Sequence, residues 1–317
     1  MKNITLGYIG SGPVSNFHIP AIKKVGFKIK VFYSRNFDKA YNFSMVNKII
    51  LPEKSFEDFL RKSHSVDGFI LCVKTNAASK YLEKLCTLNK PIFVEKPGSL
   101  NALELRKIKK KTNSSVYFLY NRRFYPSITE GKKFIERSKY CFASVKIPES
   151  IKTINQFITN GCHVIDLLIF YFGNLKLIKS FRLKKNIGFY FTLQSKNKSL
   201  ISCLLNWGSP QNFEINVFNE KNQRMEIKPI ENSFFYNKMK KIEPTKKTPI
   251  RFYIPELKKQ KSTIYDGMKY KPGFIEQYKD VKKIIQSKKH KYTLCDLNGA
   301  IKVLDLIERI IKKATIK

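Results

Sequence analysis

A glycine-rich segment near the start of the sequence has the residue types that bind a phosphate. It follows a short apolar run and consists of Gly10, Ser11, Gly12, Pro13, Val14 and Ser15. The order matches GxGxxG/A, with Ser15 as the third small residue. Glycines allow a tight turn and a close backbone approach, and N–H groups at the start of a helix attract a pyrophosphate. A place between a predicted strand and a predicted helix favours a dinucleotide site over a glycine turn without a nucleotide.

The second predicted strand ends in residues that suit a phosphorylated ribose. About 20 residues after the glycines, an NAD site usually has Asp or Glu, whose carboxylate holds the ribose 2′-hydroxyl. Here Ser34 and Arg35 follow Tyr33, and the first carboxylate is that of Asp38. A hydroxyl and a guanidinium can bind a 2′-phosphate. The pattern favours NADP(H) over NAD(H); the alternatives are NAD(H) and an Arg35 that lies in solvent without a ligand.

A lysine follows another predicted strand, at a place where ligands bind. Val94, Glu95, Lys96 and Pro97 lead from this strand into a loop. The carboxyl ends of parallel strands form the ligand site in this architecture. Pro97 fixes the backbone, and a cis peptide bond before it would aim Lys96 at a cleft. An ammonium there can hydrogen-bond a cofactor ribose and a substrate hydroxyl and take part in proton transfer.

His163 and Asp166 lie three residues apart in a strongly apolar segment that is predicted to be a helix. At that spacing they share one face of the helix. One interpretation makes His163 a substrate-binding acid or base, with Asp166 supporting the helix start or the pocket. The other is a histidine hydrogen-bonded for structural reasons only. The glycine segment and Lys96 in the same chain favour the catalytic interpretation.

The first 120 residues alternate between predicted strands and helices. Strands are expected at 4–9, 29–33, 48–50, 68–73, 92–95 and 115–120, and helices at 13–25, 38–46, 56–62, 76–88 and 101–112. The run 68–73 is continuously apolar, as expected for a strand buried on both faces. The alternation predicts an α/β fold, with an N-terminal doubly wound parallel sheet of the Rossmann type.

The rest of the chain has a different pattern. Helices are expected at 128–138, 160–172, 274–286 and 294–312, and strands at 141–147, 177–183, 188–194, 199–207, 212–219 and 223–227. The spacing of the last five strands is typical of an antiparallel meander. Residues 232–271 are rich in Lys and Pro and are predicted to be a long surface connection. We therefore expect two domains, a dinucleotide-binding domain at 1–120 and an α+β domain at 121–317, whose final helix could pack back on the first.

Several segments together resemble the Gfo/Idh/MocA oxidoreductases, the family of glucose–fructose oxidoreductase and inositol dehydrogenase. They are GYIGSGPVSNFHIPAI at 7–22, Ser34 and Arg35, VEKP at 94–97, YNRRF at 120–124 and GCHVIDLLIFYFG at 161–173. The resemblance extends over nearly the whole length. It implies a pyridine-nucleotide domain and an α+β domain with a large, mostly antiparallel, open-faced sheet that often packs against another subunit. It also implies hydride transfer at a carbon of a sugar, cyclitol or nucleotide sugar.

The resemblance and the residue patterns assign expected roles to individual residues. Lys96 and His163 are expected to be catalytic and to lie beside the nicotinamide. Cofactor contacts are expected from Gly10, Ser11, Gly12, Pro13, Val14, Ser34, Arg35, Val73, Thr75, Glu95, Lys96 and Pro97. Substrate contacts are expected from Tyr120, Asn121, Arg123, Thr159, Asn160 and His163. No metal is expected.

Two positions depart from the family pattern. Many members have Asp four residues before the histidine, where this chain has Thr159. At the end of the strand 68–73, the family favours Thr-Pro-Asn with a later His, and this chain has Val73, Lys74 and Thr75, with Ala78 at the His position. Lys96 and His163 could suffice for proton transfer, residues of the 120–124 segment could contribute, or the chemistry has been lost.

Two functions are therefore weighed. The first is an NAD(P)-dependent oxidoreductase acting on a sugar or nucleotide sugar, plausibly in the biosynthesis of surface polysaccharide. The alternative is a catalytically silent nucleotide-binding sensor or scaffold of the same fold. Turnover that depends on Lys96 would separate them.

The net charge suggests a third functional class, nucleic-acid or membrane binding, which the motifs do not support. The 317 residues include 61 Lys and Arg against 24 Asp and Glu, a formal charge of +37. Such an excess suggests nucleic acid or an acidic membrane, but no helix-turn-helix, zinc-ligand or RNP-like pattern is present. We expect a small-molecule substrate, a homodimer or tetramer formed through the C-terminal sheet, and no specific nucleic acid or membrane partner. Six scattered cysteines without a CxxC pair and the lack of a signal-peptide pattern predict a cytoplasmic protein.

Overall fold

The computed structural model describes residues 4–150, 152–184, 187–263, 270–287 and 292–316. The chain forms two compact units, Met1–Phe124 with Tyr265–Asp305 and Tyr125–Ile264 with Leu306–Lys317. We call them the first and the second unit. A segment from the C-terminal part of the chain thus belongs to the first unit, whereas the sequence analysis assigned 121–317 to the second domain in one piece.

The first unit is built on a six-stranded sheet. Its strands are β1 (Thr5–Ile9), β2 (Lys28–Tyr33), β3 (Gly68–Leu71), β4 (Ile92–Val94), β5 (Val116–Phe118) and β14 (Cys295–Asp296). Their order is β14-β5-β4-β3-β1-β2, and only β14 runs antiparallel to its neighbour. The predicted Rossmann-type sheet is confirmed. Its strand order reverses between β1 and β3, which is where such sheets bind ligands.

Helices connect these strands and cover the sheet. They are α1 (Ser15–Val25), α2 (Phe37–Asn47), α3 (Phe56–Lys62), α4 (Thr75–Cys86), α5 (Ala102–Lys111), α9 (Phe274–Ile285) and the start of α10 (Leu297–Lys312). The chain also makes 3₁₀ turns at Ser63–Ser65 and Asn121–Phe124. Every residue of β3 is buried, as its continuous apolar sequence predicted. Helix α9, from the later part of the chain, packs against α1.

The strand predicted at 48–50 is wrong. Lys48 has a φ of 49° and ends α2, with its N–H donating to the carbonyl of Met45. The N–H of Ile49 likewise turns back to the carbonyl of Ser44. These donors close the helix and are not available to a sheet. Only Pro52 forms an isolated bridge, with Phe32.

The second unit is built on a nine-stranded sheet. Its strands are β6 (Cys141–Glu149), β7 (Leu175–Arg182), β8 (Gly188–Ser195), β9 (Leu200–Trp207), β10 (Glu214–Asn219), β11 (Arg224–Ile227), β12 (Asn232–Ile242), β13 (Phe252–Ser262) and β15 (Thr315–Ile316). Their order is β13-β12-β11-β10-β6-β9-β8-β7-β15. The sheet is mostly antiparallel, as predicted, with parallel pairs at β6–β9 and β15–β7.

Two predictions for this sheet need correction. The meander is interrupted, because β6 inserts between β9 and β10 and pairs with both. The predicted surface connection at 232–271 instead contains β12 and β13, and its residues 264–269 lie outside the described part of the chain. Its period of two was hidden because register shifts follow Phe235 and Tyr236 and because lysines occupy both faces of the hairpin.

Helices cover one face of this sheet. They are α6 (Pro126–Glu136), α7 (Ile154–Gln156), α8 (Cys162–Phe172) and the end of α10, with a π-helical turn at Phe157–Gly161 between α7 and α8. Along β6, Cys141, Ala143, Val145 and Ile147 are buried, whereas Phe142 on the other face is 52% exposed. Among the described residues, no helix is long and apolar enough to cross a bilayer.

Candidate functional site

The glycine segment forms the turn between β1 and α1. Gly10 has a φ of +119°, and a Cβ there would lie 1.9 Å from the carbonyl oxygen of Cys72. Both facts require glycine. The N–H of Gly10 donates to the carbonyl of Tyr33 at 2.9 Å. The buried Ser15 hydroxyl lies 3.3 Å from the carbonyl of Gly10 and 3.3 Å from Cys72 Sγ. The turn is therefore fixed to the ends of β2 and β3.

The outer side of the turn is open. Gly12 and Pro13 are exposed, and a Cβ added at Gly12 would meet no atom within 4 Å. Val14, at the N-terminus of α1, is half-buried and forms no side-chain cap. The backbone of Gly12 can therefore be approached closely by a ligand.

Helix capping distinguishes the two helices at the switch point from α2, α3 and α5. The side chains of Asn36, Ser55 and Asn101 cap α2, α3 and α5. In contrast, α1 and α4 have no side-chain cap and no acidic residue in the first turn. These two helices follow β1 and β3, between which the strand order reverses. An uncapped helix N-terminus attracts an anion, so this edge fits the pyrophosphate of a dinucleotide.

The end of β2 has hydroxyl and guanidinium groups but no carboxylate. The Oγ atoms of Ser11 and Ser34 lie 2.9 Å apart. Arg35 is exposed next to Ser34. Asn36 is used as the α2 cap, and Asp38 lies in the first turn of that helix. These residues fit a ribose that carries a 2′-phosphate, because they offer donors and a positive charge.

Val73 and Thr75 border the same edge of the sheet. Both are half-buried and lie in the turn from β3 to α4, and Thr75 is the first residue of that helix. The backbone pairing of the sheet continues past β3, since the N–H of Cys72 donates to the carbonyl of Ile9 at 2.8 Å. The position of these two residues at the switch point agrees with a cofactor contact, which stays a prediction.

The segment after β4 carries Lys96. Glu95 and Lys96 are half-buried, and the peptide bond from Lys96 to Pro97 is cis. The N–H of Glu95 donates to the carbonyl of Leu71 at 2.8 Å, so Glu95 continues the sheet by one residue. Lys96 therefore leaves the sheet at its carboxyl edge, in the position that the sequence predicted.

A buried histidine connects α1 to the Lys96 segment, and the sequence analysis missed it. His18 is fully buried, with its Nε2 atom 3.1 Å from Glu95 Oε2 and its Nδ1 atom 2.7 Å from the hydroxyl of Tyr278 on α9. Burial lowers the pKa of His18, but Cys72 and Glu95 outweigh it and raise the pKa to about 9. His18 thus contacts Glu95 from inside the core of the first unit.

Lys271 adds another cation to the first unit. Its Nζ atom lies 4.9 Å from the ring centroid of Phe17 and 5.6 Å from that of Phe274. Burial lowers the pKa of Lys271; Glu95 opposes this effect, and Lys96 and Arg122 add to it. No sequence signal distinguished Lys271, because it lies among many other lysines.

Three predicted substrate residues are buried inside the first unit. Tyr120, Asn121 and Arg123 are only 1%, 7% and 7% exposed. Asn121 Nδ2 donates to the carbonyl of Pro272 at 3.0 Å, and an Arg123 guanidinium nitrogen donates to the carbonyl of Thr293 at 3.1 Å. These bonds attach the C-terminal segment to the unit, which is a structural role. A substrate role for the three residues stays a prediction.

The second unit places the histidine helix after a π turn. His163 is 6% exposed and Asp166 is fully buried, both on α8. The preceding turn, Phe157–Gly161, contains Thr159 and Asn160. π turns inside helices occur frequently at functional sites. Thr159 Oγ1 donates to the backbone carbonyl of Asn155 at 2.8 Å, so this hydroxyl is used by the helix itself.

A buried carboxylate lies beside this turn. Glu149, the last residue of β6, is 2% exposed, and its Oε2 atom accepts from Asn160 Nδ2 at 2.7 Å and Gln156 Nε2 at 3.0 Å. Glu149 is therefore hydrogen-bonded to Asn160, the residue after Thr159. Thr159 is the position at which the family pattern has Asp. The sequence analysis missed Glu149, because only the packing of β6 against the π turn brings it there.

Lys96 belongs to the first unit and His163 to the second. Their expected joint action at one nicotinamide stays a prediction. Within the described ranges, no group of three His, Cys, Asp or Glu side chains could hold a metal ion.

A Rossmann-type sheet with a glycine turn and two helices without side-chain caps at its switch point is typical of dinucleotide-binding domains. Residues 4–118 match the sequence model of the Gfo/Idh/MocA family, described as an oxidoreductase family with an NAD-binding Rossmann fold. Residues 4–118 of the first unit thus match the NAD-binding domain of this oxidoreductase family, in agreement with the resemblance seen in the sequence. No curated protein sequence matches it.

Solved structures with the same fold cover both units. A dehydrogenase (MviM) from Clostridium difficile is 18% identical, with a TM-score of 0.76 over 98% of this chain and 99% of that chain. The WlbA dehydrogenase from Bordetella pertussis, in complex with NADH and UDP-GlcNAcA, is 14% identical, with a TM-score of 0.75 over 99% and 96%. A 3-ketoreductase from Actinomadura kijaniata, in complex with NADP and TDP-benzene, is 12% identical, with a TM-score of 0.71 over 99% of each chain.

Proposed function

We propose that this chain is an NADP(H)-dependent oxidoreductase that transfers a hydride between nicotinamide and a ring carbon of a sugar or nucleotide sugar. The observation that carries the proposal is the edge of the first sheet, where two uncapped helices meet the open Gly12 turn and the Ser34–Arg35 pair. The sugar class is supported by the similar structure from Bordetella pertussis, which holds UDP-GlcNAcA.

Lys96 and His163 are proposed to handle the proton of the reaction. When bound, the nicotinamide ring accepts or supplies the hydride. On oxidation, the alcohol carbon loses this hydride and its hydroxyl loses a proton, which leaves a ketone. We assign Lys96 to hydrogen-bonding the reacting oxygen and His163 to exchanging its proton. Glu149 holds Asn160 next to the histidine helix, and the His18–Glu95 pair holds the segment that carries Lys96.

Cofactor binding tests the first part of the proposal. NADPH and NADH are titrated in turn, and the fluorescence of the reduced nicotinamide is followed. Arg35→Ala is expected to weaken NADPH binding about tenfold or more and NADH binding little, because only NADPH offers a phosphate to the guanidinium. Lys30→Ala, which removes an exposed cation from β2, the strand before Arg35, is the matched control. Binding of neither nucleotide to the wild-type chain would refute the proposal.

Turnover tests the second part. The wild-type chain is incubated with NADP⁺ and a panel of sugars and nucleotide sugars, and formation of reduced nicotinamide is recorded. Lys96→Ala and His163→Ala should both lose turnover. Both should retain NADPH binding, although to different degrees. Equal turnover of the same compound by the wild type and by Lys96→Ala would contradict the assigned role of Lys96.

A silent nucleotide sensor is the second candidate. The observation in its favour is Thr159, whose hydroxyl is bonded to the helix backbone and supplies no carboxylate. Normal NADPH binding without turnover of any compound in the panel would favour this candidate over the enzyme.

We also propose that the second unit forms a homo-oligomer through the open face of its sheet, in the cytoplasm. We call the outward positions of β6 and β8–β11 the open face. Its central row consists of Phe218, Phe142 and Leu200, which are 48%, 52% and 43% exposed and are paired across three strands. Its charged residues are Lys146, Glu214, Arg224 and Glu226. Lys228, just beyond β11, pairs with Glu214, so this face has three positive and two negative charges, a small excess for a chain of +37 and as expected for a surface that contacts another copy.

A further inference from the structure

The hairpin of β12 and β13 is exposed along most of its length. Every residue from 237 to 261 is exposed, and we call this segment the arm. The strand β11 pairs only with Ser233–Tyr236 of β12, and β13 is the edge of the sheet. Within the part of the chain that the structure describes, the arm is therefore a two-stranded ribbon with no third strand beside it. Such a ribbon is marginally stable in water unless another surface covers it.

Both faces of the arm carry large apolar side chains. The register pairs Ile242 with Phe252 and Lys240 with Ile254, which places these apolar residues on one face. Met239 and Tyr253 belong to the other face, since they pair with Pro255 and Lys241. The exposures are 36%, 42% and 48% on the first face and 53% and 58% on the second. A ribbon that only reached into water would be expected to carry polar residues on both faces.

We propose that the arm packs against a second copy of this chain. The inference rests on the proposed homo-oligomer and assigns it a second contact, separate from the open face of the sheet. Five residues named above, with Ile250 and Leu257 at 63% and 48% exposure, present apolar area for this contact. At roughly 200 Å² for a large side chain, the exposed part amounts to about 700 Å². A stable interface buries about 800 Å² on each partner, so the arm approaches that size where the partner covers both of its faces.

The residues of β13 limit the ways in which the arm can bind a partner. Pro255 lies in the edge strand β13, and Lys258, Lys259 and Lys261 follow on the same strand. Proline and lysine on an edge oppose the addition of another strand, so the contact is made by the ribbon faces. The arm contains nine Lys and Arg against two Glu, a charge of +7, and two arms would repel each other. The contact is therefore made with the body of the partner and not with the partner's arm.

The experiment measures the mass of the full chain in solution by sedimentation velocity over a range of concentrations. The arm variant is Phe252→Ser with Ile254→Ser. The matched control is Val46→Ser with Leu103→Ser, which removes side chains that are 80% and 58% exposed in the first unit. We expect the wild type to be oligomeric, the control to behave like it, and the arm variant to associate at least about 100-fold more weakly. Equal thermal melting of the isolated monomers shows that the variants are folded.

A third variant separates this inference from the proposed sheet interface. Phe142→Ser with Phe218→Ser removes the centre of the open face. If this variant dissociates and the arm variant does not, the arm inference is wrong and the sheet interface stands. If the arm variant dissociates and the open-face variant does not, the arm inference stands and the proposed sheet interface is wrong. A monomeric wild type refutes both.

Salt distinguishes a second copy from an acidic partner. Like-charged chains held together by apolar contacts associate more tightly as salt screens their repulsion. We therefore expect the wild-type oligomer to persist or strengthen with added salt. An arm variant that keeps the wild-type mass but loses salt-sensitive binding to anionic lipid vesicles or to DNA would overturn the inference.

Discussion

Two glycines of the same turn should respond in opposite ways to the same substitution. At Gly10, φ is +119° and an added Cβ would lie 1.9 Å from the carbonyl oxygen of Cys72. At Gly12, the added Cβ would meet no atom within 4 Å, and φ is outside the range that disfavours L residues. The first glycine is therefore required by the fold, whereas the second leaves open space beside the N-terminus of α1.

The expected cost follows from these distances. Alanine at a positive φ costs about 1–2 kcal/mol, and displacing a backbone carbonyl from a packed position adds about 1–3 kcal/mol. Gly10→Ala should therefore lower the free energy of unfolding by about 2–5 kcal/mol. Gly12→Ala should change it by less than about 1 kcal/mol, and by the sign that stabilises, because alanine restricts the unfolded chain.

For NADPH binding, the informative substitution is the one at Gly12. The Cβ of Gly12→Ala occupies the space through which a phosphate reaches the N–H groups of α1, so NADPH affinity should fall about tenfold or more. The assay combines urea unfolding followed by circular dichroism with NADPH titration at a temperature where both variants are folded. A Gly12→Ala variant that binds NADPH like the wild type would refute our location of the phosphate. A Gly10→Ala variant with the wild-type urea midpoint would refute the structural role of that glycine.

Two stability predictions concern side chains in the first unit. Since Cys72 first and Glu95 second raise the pKa of His18 from 6.5 to about 9, the surroundings of the charged histidine stabilise the fold fully below pH 6.5, and this contribution is lost as pH rises through 9. The gap corresponds to at most about 3 kcal/mol, so urea midpoints of wild type and His18→Gln should converge between pH 6 and pH 10; a constant difference would argue against a charged His18. Asn101→Ala removes the bond from Asn101 Oδ1 to the N–H of Glu104, at 3.0 Å, and should cost about 1 kcal/mol in thermal or urea unfolding.

Local sequence signals were sufficient for most of the first unit. Glycine at position 10, the apolar run of β3 and the lysine after β4 each depend on a few neighbouring residues, and each occupies the place that was predicted. Capping residues behave in the same way, since an N-cap bonds within its own first turn. The strand predicted at 48–50 failed because the left-handed conformation of Lys48 is decided by the closing of α2.

Signals were weaker where pairing joins distant segments. The position of β6 between β9 and β10 cannot be read from the spacing of consecutive strands, because β6 precedes them by many residues. The hairpin of β12 and β13 was hidden for another reason. A strand shows alternating polarity only when one of its faces is buried, and both faces of the arm are exposed.

The sequence by itself determined the match of residues 4–118 to the Gfo/Idh/MocA family model, the places of β1 to β5 and the identity of the turn at Gly10–Ser15, because these depend on residues close together in the chain. The tertiary structure alone decided which distant groups meet. It joined His18 to Glu95 and Tyr278, placed Glu149 beside Asn160, and turned Asn121 and Arg123 into anchors for the C-terminal segment. Hydrogen bonds between residues far apart in the chain leave no spacing in the sequence, so only the folded backbone reveals them.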